Sequence, residues 1–355
     1  MSIARPMILA TAELPAQSEP GLPRVAELEL AKRLPAKLLH YGDVSVSAGR
    51  RRVEQQLRLD VSLARAGLSG LNGQNVIFST SERVGLPLLA LQRGKSTVPH
   101  VMLAHHLLSP TKYRLVKLSG LLRKLTLLLC LSQHELCILR RECGLPPERV
   151  ALIRGVCADH RFFLPAPGRG DGYVLATGAT QRDYPMLMRA LGGQPVRVLV
   201  AAGSQWVEGP AVRGEIPANF TFLPKQSLPE MRDLYARCAV VAIPLRRGSQ
   251  YSAGRTNIAE AMASAKPVVA TDLAGMRDYL EHGKNGLLVE EGNEEAFRLA
   301  VIGLLGEETS ARTMGLAGRR LAEEKWNLEV YVDFLCRVLG EVAATGGATA
   351  LARAR

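Results

Sequence analysis

SQYSAGRTNIAEAMASAKPVVATD, from Ser249 to Asp272, combines a polar loop, a helix and a strand, and it decides the fold class. It follows VVAIPL (Val240 to Leu245), an apolar run of the length typical of a buried parallel strand. Helical spacing then begins at Arg255 and continues to Ser264. Pro267 cannot continue that helix, and PVVAT is typical of the next strand. This order of elements predicts an α/β domain with a parallel sheet.

The loop before Arg255 brings a helix N-terminus to the carboxyl edge of the predicted sheet. A helix start binds anions through its unpaired backbone N–H groups and its positive dipole end. The backbone around Gly254 and Arg255 is therefore a predicted phosphate site. Glu260 lies along the same helix, and its carboxylate is suited to accept two ribose hydroxyls. Together these residues predict a phosphate-bearing ligand with a sugar beside it.

A second loop upstream is predicted to contact the same ligand. GYVLATG (Gly172 to Gly178) predicts a strand that runs into a tight turn, which Gly178 permits. Arg182 lies near the start of the next predicted helix and is suited to carry the charge of a diphosphate. The alternative for Arg182 is a surface salt bridge to a neighbouring residue.

EAMASAKPVVATD (Glu260 to Asp272), with AGMRDYLEHGKNGLLV after it, resembles the nucleotide-sugar-binding half of retaining glycosyltransferases of family 4. Those enzymes have the GT-B fold, and the resemblance covers roughly the last half of this chain. A Glu-x7-Glu motif of the family spans the loop and this helix. Its second Glu matches Glu260, and its first falls on Ser252. Because the family's first Glu is associated with the donor sugar's hydroxyls, the resemblance implies that Ser252 is a catalytic-site residue that contacts the sugar without a carboxylate.

The resemblance implies further donor-binding residues. Arg182 occupies the position of a Lys that contacts the diphosphate in the family, although the turn after Gly178 is shorter here. The turn PKQS, which contains Lys225, corresponds to where the family's backbone meets the nucleotide base. The implied donor-binding residues are Gly178, Arg182, Lys225, Gly254, Arg255, Thr256 and Glu260. No cofactor and no obligate metal ion are implied, because the nucleotide-sugar is itself the donor substrate.

The first half of the chain predicts a second parallel sheet. Short apolar strands, from PMILA (Pro6 to Ala10) to TLLLCLS (Thr126 to Ser132), alternate with helical segments. One of these segments, Arg51 to Ala66, is predicted to be a single amphipathic helix.

Two histidines follow HVMLA (His100 to Ala104), a predicted strand of this first half. Ligands of doubly wound sheets bind at the carboxyl ends of strands, where His105 and His106 lie. The resemblance implies that one of the two is catalytic and reaches the donor's phosphate or sugar. The alternative is a histidine that anchors the loop by bonding to nearby backbone, and the sequence does not distinguish between the two residues.

The expected architecture is α/β, the GT-B fold, with two Rossmann-like doubly wound domains facing each other across a cleft. A chain of 355 residues exceeds what a single core usually supports. The Pro- and Gly-rich segment 154–172 loses periodicity and marks the boundary. The expected parts are an N-terminal acceptor-side domain (1–162), a nucleotide-sugar-binding domain (163–326), a helix crossing back to the first domain (327–342) and a flexible tail (343–355).

Positive charge is concentrated in the first half. Residues 1–162 carry 23 Lys and Arg against 12 Asp and Glu, and the formal charge of the whole chain is +12. This excess suggests an anionic membrane surface or an acidic acceptor as a partner, and the alternative is a solvated basic surface. Nucleic acid is not expected, because no helix-turn-helix or RNA-binding signature occurs.

Ser109 to Leu125 is the segment best suited to a membrane surface. Its basic residues interleave with leucines, which is typical of an interfacial helix and also of an ordinary surface helix packed on a sheet. These basic residues are Lys112, Arg114, Lys117, Arg123 and Lys124.

The six cysteines indicate a reducing compartment. Cys130, His134 and Cys137 share a helix face only if the helix begins early, so small buried thiols are favoured over a metal site. No apolar run reaches the roughly 18 residues of a membrane-spanning helix. We therefore expect a cytoplasmic protein, either free or peripheral on the inner face of the membrane.

The expected reaction is hexosyl transfer from a nucleotide-diphospho-sugar to a glycan or lipid-linked glycan, with retention of configuration. The protein would neutralise the diphosphate leaving group. One alternative is a nucleotide-sugar-binding partner protein that has lost catalysis. The other is a GT-B sugar-nucleotide epimerase, which needs carboxylates deep in its cleft as acid and base. For that role the first half offers only scattered acids, among them Asp60 and Glu82.

Overall fold

The computed structural model describes residues 3–15, 19–92, 98–166, 170–203, 215–246 and 253–347. These residues form two compact units, each built around one six-stranded sheet. The first unit comprises the described parts of Met1–Ser18, Val25–Arg154 and Tyr331–Arg355, and the second comprises those of Glu19–Arg24 and Gly155–Val330.

The first unit has a parallel sheet in the order β2-β1-β3-β4-β5-β6. Its strands are β1 (Pro6–Ala10), β2 (Lys37–His40), β3 (Val76–Ser79), β4 (His100–Leu103), β5 (Leu127–Cys130) and β6 (Val150–Leu152). Its helices are α1 (Ala26–Arg33), α2 (Ala48–Leu57), α3 (Val61–Ser69), α4 (Glu82–Leu91), α5 (Pro110–Ser119) and α6 (Gln133–Glu142). Short 3-10 helices cover Tyr41–Asp43, Leu121–Lys124 and Pro147–Arg149.

The second unit also has a parallel sheet, in the order β12-β11-β10-β7-β8-β9. Its strands are β7 (Val174–Thr177), β8 (Val198–Ala201), β9 (Phe220–Phe222), β10 (Val240–Ile243), β11 (Val268–Thr271) and β12 (Leu287–Val289). Its helices are α7 (Tyr184–Leu191), α8 (Leu228–Arg237), α9 (Arg255–Ala263), α10 (Glu294–Gly306) and α11 (Glu308–Glu324). The last helix, α12 (Leu328–Thr345), belongs to the first unit from Tyr331 onward.

Both faces of the second sheet are covered by helices. Along β10, Val241 and Ile243 join a buried cluster with Met262 of α9, whereas Ala242 joins another with Leu187 of α7. Successive side chains of a strand point to opposite faces, so an apolar run without polar alternation requires cover on both sides. The prediction of two doubly wound α/β domains is confirmed, and the arrangement of strands and helices is that of the GT-B fold.

Two helix starts were predictable from a Ser-x-x-Glu pattern. Ser132 accepts a hydrogen bond from the backbone N–H of Glu135, and the Glu135 carboxylate accepts one from the N–H of Ser132. Ser227 and Glu230 form the same reciprocal pair at the start of α8. Each reciprocal pair satisfies backbone N–H groups that the start of a helix otherwise leaves unpaired.

The prediction of one helix from Arg51 to Ala66 is wrong, because the segment forms α2 and α3 with a break between them. Arg58 adopts left-handed backbone angles at the break, with φ of 52°. The buried Glu54 carboxylate then accepts hydrogen bonds from both the N–H and the hydroxyl of Ser62, in the first turn of α3. A side chain inside the first helix therefore satisfies the start of the second, which periodicity alone does not reveal.

Among the described helices, none is long and apolar enough to cross a bilayer.

Candidate functional site

The candidate site lies where the order of the second sheet reverses, between β7 and β10. In doubly wound sheets this switch point opens a crevice at the carboxyl ends of the strands. Gly178 follows β7 directly, and Gly254 is the N-cap of α9 in the connection after β10. The backbones of Arg182 and Leu245 form a bridge that ties the two connections together.

Both glycines have left-handed backbone angles, with φ of 90° at Gly178 and 91° at Gly254. A Cβ on Gly178 would lie 2.5 Å from Arg182 Nη2, and one on Gly254 would lie 3.1 Å from Ile243 Cγ2. Only glycine combines these angles with so close an approach. The tight turn predicted at Gly178 is therefore present, and α9 begins with its backbone N–H groups at the carboxyl edge of the sheet.

Arg182 is buried beneath this pair of turns, with 3% of its surface exposed. Its Nε donates to the Thr177 carbonyl at 2.7 Å, and its Nη1 donates to the Thr180 carbonyl at 2.8 Å. Its Nη2 donates to Asn257 Oδ1 on α9 at 2.7 Å. The surface salt bridge considered as an alternative is not formed, since no described carboxylate pairs with Arg182.

An arginine in this position holds a positive charge behind the two turns. Burial lowers the pKa of Arg182, because the guanidinium has lost water without gaining a carboxylate. A buried charge without a counter-charge is costly. An anion at the start of α9 would supply that counter-charge, so the arrangement favours a phosphate ligand.

Glu260 faces the same edge from α9 and is partly buried. Its Oε2 accepts hydrogen bonds from the Tyr235 hydroxyl at 2.8 Å and from Asn257 Nδ2 at 3.4 Å. Burial raises the pKa of Glu260 to about 7, although these two hydrogen bonds act in the opposite direction. The carboxyl therefore titrates near neutral pH and can accept hydroxyl groups fully only in its charged form.

Sequence reasoning missed Tyr235 and Asn257. The Tyr235 hydroxyl, which is fully buried, lies within 3.2 Å of Thr177 Oγ1 and 3.3 Å of Asn257 Nδ2. Asn257 therefore joins the arginine to the carboxylate in one hydrogen-bonded network. Asn257 was inside the quoted stretch and one turn before Glu260, but no pattern identified the partner helix α8 from which Tyr235 reaches it.

Three other predicted donor-binding residues have distinct positions. Arg255 is buried, its Nη2 donates to the Gly155 carbonyl at 2.8 Å, and its backbone N–H belongs to the start of α9. Thr256 follows it in the first turn of α9 and is partly exposed. Lys225 is exposed after β9, and its Cα would lie 3.2 Å from a Cβ on Gly203 of the neighbouring connection. Ser252 lies outside the described residues.

In the first unit, His105 and His106 follow β4. His105 Nε2 lies 3.0 Å from the Thr80 carbonyl, which is the backbone anchor considered as an alternative in the sequence. Burial lowers the pKa of His106 to about 4, so its imidazole is neutral at physiological pH. A neutral imidazole can both donate and accept a hydrogen bond, as a group near a sugar hydroxyl would need to.

A buried ion pair supports these histidines. Glu82, at the start of α4, has no exposed surface, and its Oε1 lies 2.7 Å from Lys112 Nζ. Its Oε2 accepts a hydrogen bond from the backbone N–H of His105 at 2.9 Å. Burial by itself would raise the pKa of Glu82, but Lys112 and His105 lower it to about 2. The interpretation of Lys112 as a membrane-facing charge is therefore wrong. Glu82, which the sequence presented as a scattered acid, holds both Lys112 and the backbone of His105.

In the rest of the predicted membrane segment, some side chains bond to the protein and others are exposed. Lys124 Nζ donates to the carbonyls of Leu89 and Gln92, so it too is tied to the protein. Leu115 and Leu118, by contrast, are 48% and 87% exposed on α5. The helix ends at Ser119, because Gly120 has left-handed backbone angles with φ of 63°.

The two cysteines considered for a metal site differ in their burial. Cys130 ends β5 and is buried, whereas Cys137 is exposed on α6. Within the described ranges, no group of three or more His, Cys, Asp or Glu side chains could hold a metal ion. The cysteines of this part of the chain are free thiols.

Comparison with known proteins identifies a domain that covers much of this site. Residues 183–307 match the family of glycosyl transferases group 1. A D-inositol 3-phosphate glycosyltransferase of Nocardia farcinica is 34% identical over 140 residues, which are 37% of this chain and 30% of the relative. The chain thus spans about three-tenths of the length of the curated relatives that it matches first.

Solved structures resemble nearly the whole chain. The Anabaena protein HepE, in complex with UDP and glucose, has a TM-score of 0.68 at 19% identity and covers 95% of this chain and 99% of its own. Sucrose-phosphate synthase of Thermosynechococcus elongatus has a TM-score of 0.73 at 17% identity, with coverages of 96% and 99%. At these identities the likeness establishes the shared fold.

Proposed function

We propose that this chain is a glycosyltransferase that takes a sugar from a UDP-linked donor bound in its second unit. The observation that carries the proposal is the buried Arg182 beneath Gly178 and Gly254, beside the N-terminus of α9 and without a carboxylate partner. The start of α9 at Gly254 lies inside the segment that matches glycosyl transferases group 1, and Arg182 directly precedes that segment, so the match gives this anion site its chemical context.

The diphosphate would bind the backbone N–H groups at the start of α9, with Arg182 contributing its charge from beneath. Glu260 would accept the two ribose hydroxyls, as a carboxylate at this distance along the helix is suited to do. Lys225 and its turn would lie near the base. Uridine is proposed as the nucleoside because HepE, which shares the fold, was solved with UDP and glucose.

In the proposed reaction, the bond between the sugar's anomeric carbon and the diphosphate oxygen breaks while that carbon bonds to the acceptor oxygen. The acceptor's proton passes to the departing diphosphate. The protein lowers the barrier by placing positive charge where the leaving group becomes more negative, so the site is preorganised electrostatically. We further propose that the configuration of the sugar is retained and that the chain belongs to family 4. The match of Glu260 to the second Glu of the family's motif supports both proposals.

The acceptor is proposed to be a glycan or a lipid-linked glycan that binds the first unit. This unit carries most of the excess positive charge and holds the histidines at the carboxyl edge of its sheet. Its helix α5 also exposes Leu115 and Leu118 beside Arg114 and Lys117. An apolar pair flanked by cations is suited to the interface of an anionic membrane, where a lipid-linked acceptor would be found.

A second candidate is a nucleotide-sugar-binding protein without transferase activity, and the specific observation that favours it is Ser252 in place of the motif's first carboxylate. The deciding experiment measures thermal unfolding with UDP, GDP and ADP, and then with UDP-sugars. A ligand that binds only the native protein raises the unfolding midpoint. We expect a rise with UDP and a further rise with one UDP-sugar.

Transfer of the sugar from that UDP-sugar to an added acceptor, with release of UDP, would identify a transferase. Stabilisation without turnover would identify the binding protein. No stabilisation by any nucleotide would contradict both candidates.

A further inference from the structure

A cavity lies at the edge of the second unit's sheet that is opposite the candidate donor site. Its volume is about 570 Å³, within the range of small-molecule sites. Its lining includes Val196, Ala239 and Pro267, which directly precede or lie just before β8, β10 and β11. The candidate donor site lies at the carboxyl ends of the strands, so this cavity at their amino ends is a separate site.

Lys266 is the central feature of this cavity. It lines the cavity with only 8% of its surface exposed. Its ammonium group makes no hydrogen bond and no ion pair with the residues that the structure describes. Burial lowers the pKa of Lys266, because the charged form has lost water without gaining a counter-charge. An ammonium that lines a largely apolar cavity without an ion pair favours an anionic ligand.

A second polar group in the same wall also lacks a partner. Ser264 Oγ lines the cavity, is buried and has no hydrogen-bond partner in the described part of the chain. Hydroxyl groups in protein interiors are normally hydrogen-bonded, so a buried hydroxyl without a described partner, in the same cavity wall as Lys266, is a second indication of a ligand. The thiol of Cys238 in the same lining stays neutral, since burial raises its pKa to about 12.

The backbone that carries both groups is held firmly. The N–H of Lys266 donates to the Ala261 carbonyl at 2.9 Å, which closes the end of α9. On the other side, α11 approaches so closely that a Cβ on Gly315 would lie 2.2 Å from the Ala265 carbonyl oxygen. A site whose groups are fixed before binding loses less entropy when it binds.

The rest of the lining defines the ligand's chemistry. Arg197 and Arg312 add positive charge, against one carboxylate from Glu308. The remaining wall is mostly apolar, and it includes Val196, Leu304 and Leu316. An inorganic anion would leave that apolar wall unused, whereas a neutral apolar molecule would leave Lys266 without a counter-charge.

We propose that this cavity binds an amphiphilic anion, a carboxylate or phosphate monoester with an apolar body, whose head group pairs with Lys266 and accepts the hydroxyl of Ser264. The site is independent of the proposed donor site and of the reaction performed there.

Calorimetric titration of the whole chain with four probes tests the proposal. The probes are octanoate, octyl phosphate, octanol and inorganic phosphate, and the two amphiphilic anions are kept below their micelle-forming concentrations. We expect one site per chain for octanoate, octyl phosphate or both, and the better of the two names the head group. Octanol and inorganic phosphate should bind at least about tenfold more weakly. Octanol carries no charge to pair with Lys266, and inorganic phosphate has no apolar body to contact the apolar wall. Equal binding of octanol, or no binding by either amphiphilic anion, would overturn the proposal.

Variants locate the site. Lys266→Met keeps the length and the apolar stem of the side chain, and it should weaken anion binding about tenfold or more. Ser264→Ala should weaken it severalfold. The matched control is Lys284→Met, since Lys284 is an exposed lysine paired with Glu281 elsewhere in the same unit. Unchanged binding in a folded Lys266→Met protein would place the ligand elsewhere.

A measurement on the unmodified protein covers the case in which a variant fails to fold. An amine-acylating reagent is applied with and without octanoate, and modification of each lysine is followed by mass spectrometry. Octanoate should slow acylation of Lys266 severalfold and leave Lys284 unaffected. Equal acylation of Lys266 at saturating octanoate would contradict the proposal.

Discussion

The hydroxyl of Tyr235 donates a 2.8 Å hydrogen bond to Glu260 Oε2, which joins helix α8 to helix α9 beside the candidate donor site. A donor to a carboxylate stabilises its charged form, whereas burial opposes it. The pKa of Glu260 at about 7 results from these opposed effects, with burial the larger. The charge on Glu260, the residue proposed to bind the ribose, therefore depends on pH within the physiological range.

UDP affinity should rise between pH 6 and pH 8. Glu260 is mostly protonated at the lower value and mostly ionised at the higher one, and only the carboxylate accepts two hydroxyls. Tyr235→Phe should shift this rise to higher pH, because the stabilising donor is lost. Calorimetry at several pH values measures both effects. In Glu260→Gln only the part of the rise that comes from ionisation of UDP's own terminal phosphate should remain, and an undiminished rise in that variant would assign the effect to another group.

Glu260 should also affect stability in the direction opposite to that of a salt-bridged acid. Its pKa in the folded chain lies above its ordinary value of 4.5, so the native state holds the proton more tightly and loses stability as the pH rises from about 4.5 to 7. Chemical denaturation across this range should show a shallower loss for Glu260→Gln than for the unchanged protein. Parallel curves would mean that the carboxyl titrates normally.

Arg182→Lys should weaken UDP binding about tenfold or more and leave uridine binding much less affected. A lysine retains the charge but cannot donate at once to Thr177, Thr180 and Asn257, so the anion site loses its shape. The matched control is Arg189→Lys, which changes an exposed arginine of α7 paired with Glu294 at the start of α10. Equal losses for UDP and uridine would indicate a general structural defect instead.

Gly254→Ala should destabilise the protein by about 1–2 kcal/mol, because a left-handed backbone is unfavourable for alanine. The new Cβ would also lie 3.1 Å from Ile243 Cγ2. Gly303→Ala is the opposite control, since Gly303 lies inside α10 with no atom within 4 Å of the added Cβ. That change should stabilise by about 0.5–1 kcal/mol through helix propensity. Denaturant titrations of the two variants measure both free energies, and changes of the same sign would refute the assignment.

Removal of Lys112 should be more damaging than removal of the whole ion pair. Lys112→Met leaves the fully buried Glu82 without its counter-charge, and breaking a buried pair in this way typically costs about 3–5 kcal/mol. The double variant Glu82→Gln with Lys112→Met removes the charge as well and should recover part of that loss. Denaturation midpoints of the single and double variants give the comparison. A double variant that is less stable than Lys112→Met would show that the charge itself is not the source of the loss.

The same pair predicts how stability changes in acid. Glu82 has a pKa of about 2 in the folded chain, below its ordinary 4.5, so its contribution is present above pH 4.5 and is lost as the pH falls toward 2.

Vesicle sedimentation tests the exposed face of α5. The protein should co-sediment with anionic vesicles at low salt and less so at high salt, because charge attraction is screened. Leu118→Ser should reduce binding severalfold, whereas Leu299→Ser, at an exposed leucine on α10 of the other unit, should not. Binding that is insensitive to both substitutions would place the membrane contact elsewhere.

The sequence was most informative where function depends on local backbone. Gly178 and Gly254 were identifiable because tight turns select glycine, and Ser132 and Ser227 because helix starts select capping residues. Arg182 was identified by its place after the glycine turn.

What could not be predicted depends on contacts between distant elements. Tyr235 enters the site from α8 through its hydrogen bond to Glu260 on α9, and Lys112 turns inward through its ion pair with Glu82. The break at Arg58 depends on Glu54 accepting the N–H of Ser62, a side-chain contact that the apolar periodicity of the segment does not encode.

The bond between Arg182 and Asn257 joins residues 75 positions apart, across β8, β9 and β10. A contact of this span closes a long loop and forms slowly compared with local structure. The anion site is therefore absent from any intermediate in which β7 and β10 have not yet paired. During refolding, nucleotide binding should therefore recover later than the circular dichroism signal of the helices. The rate at which binding recovers would report the last stage of folding.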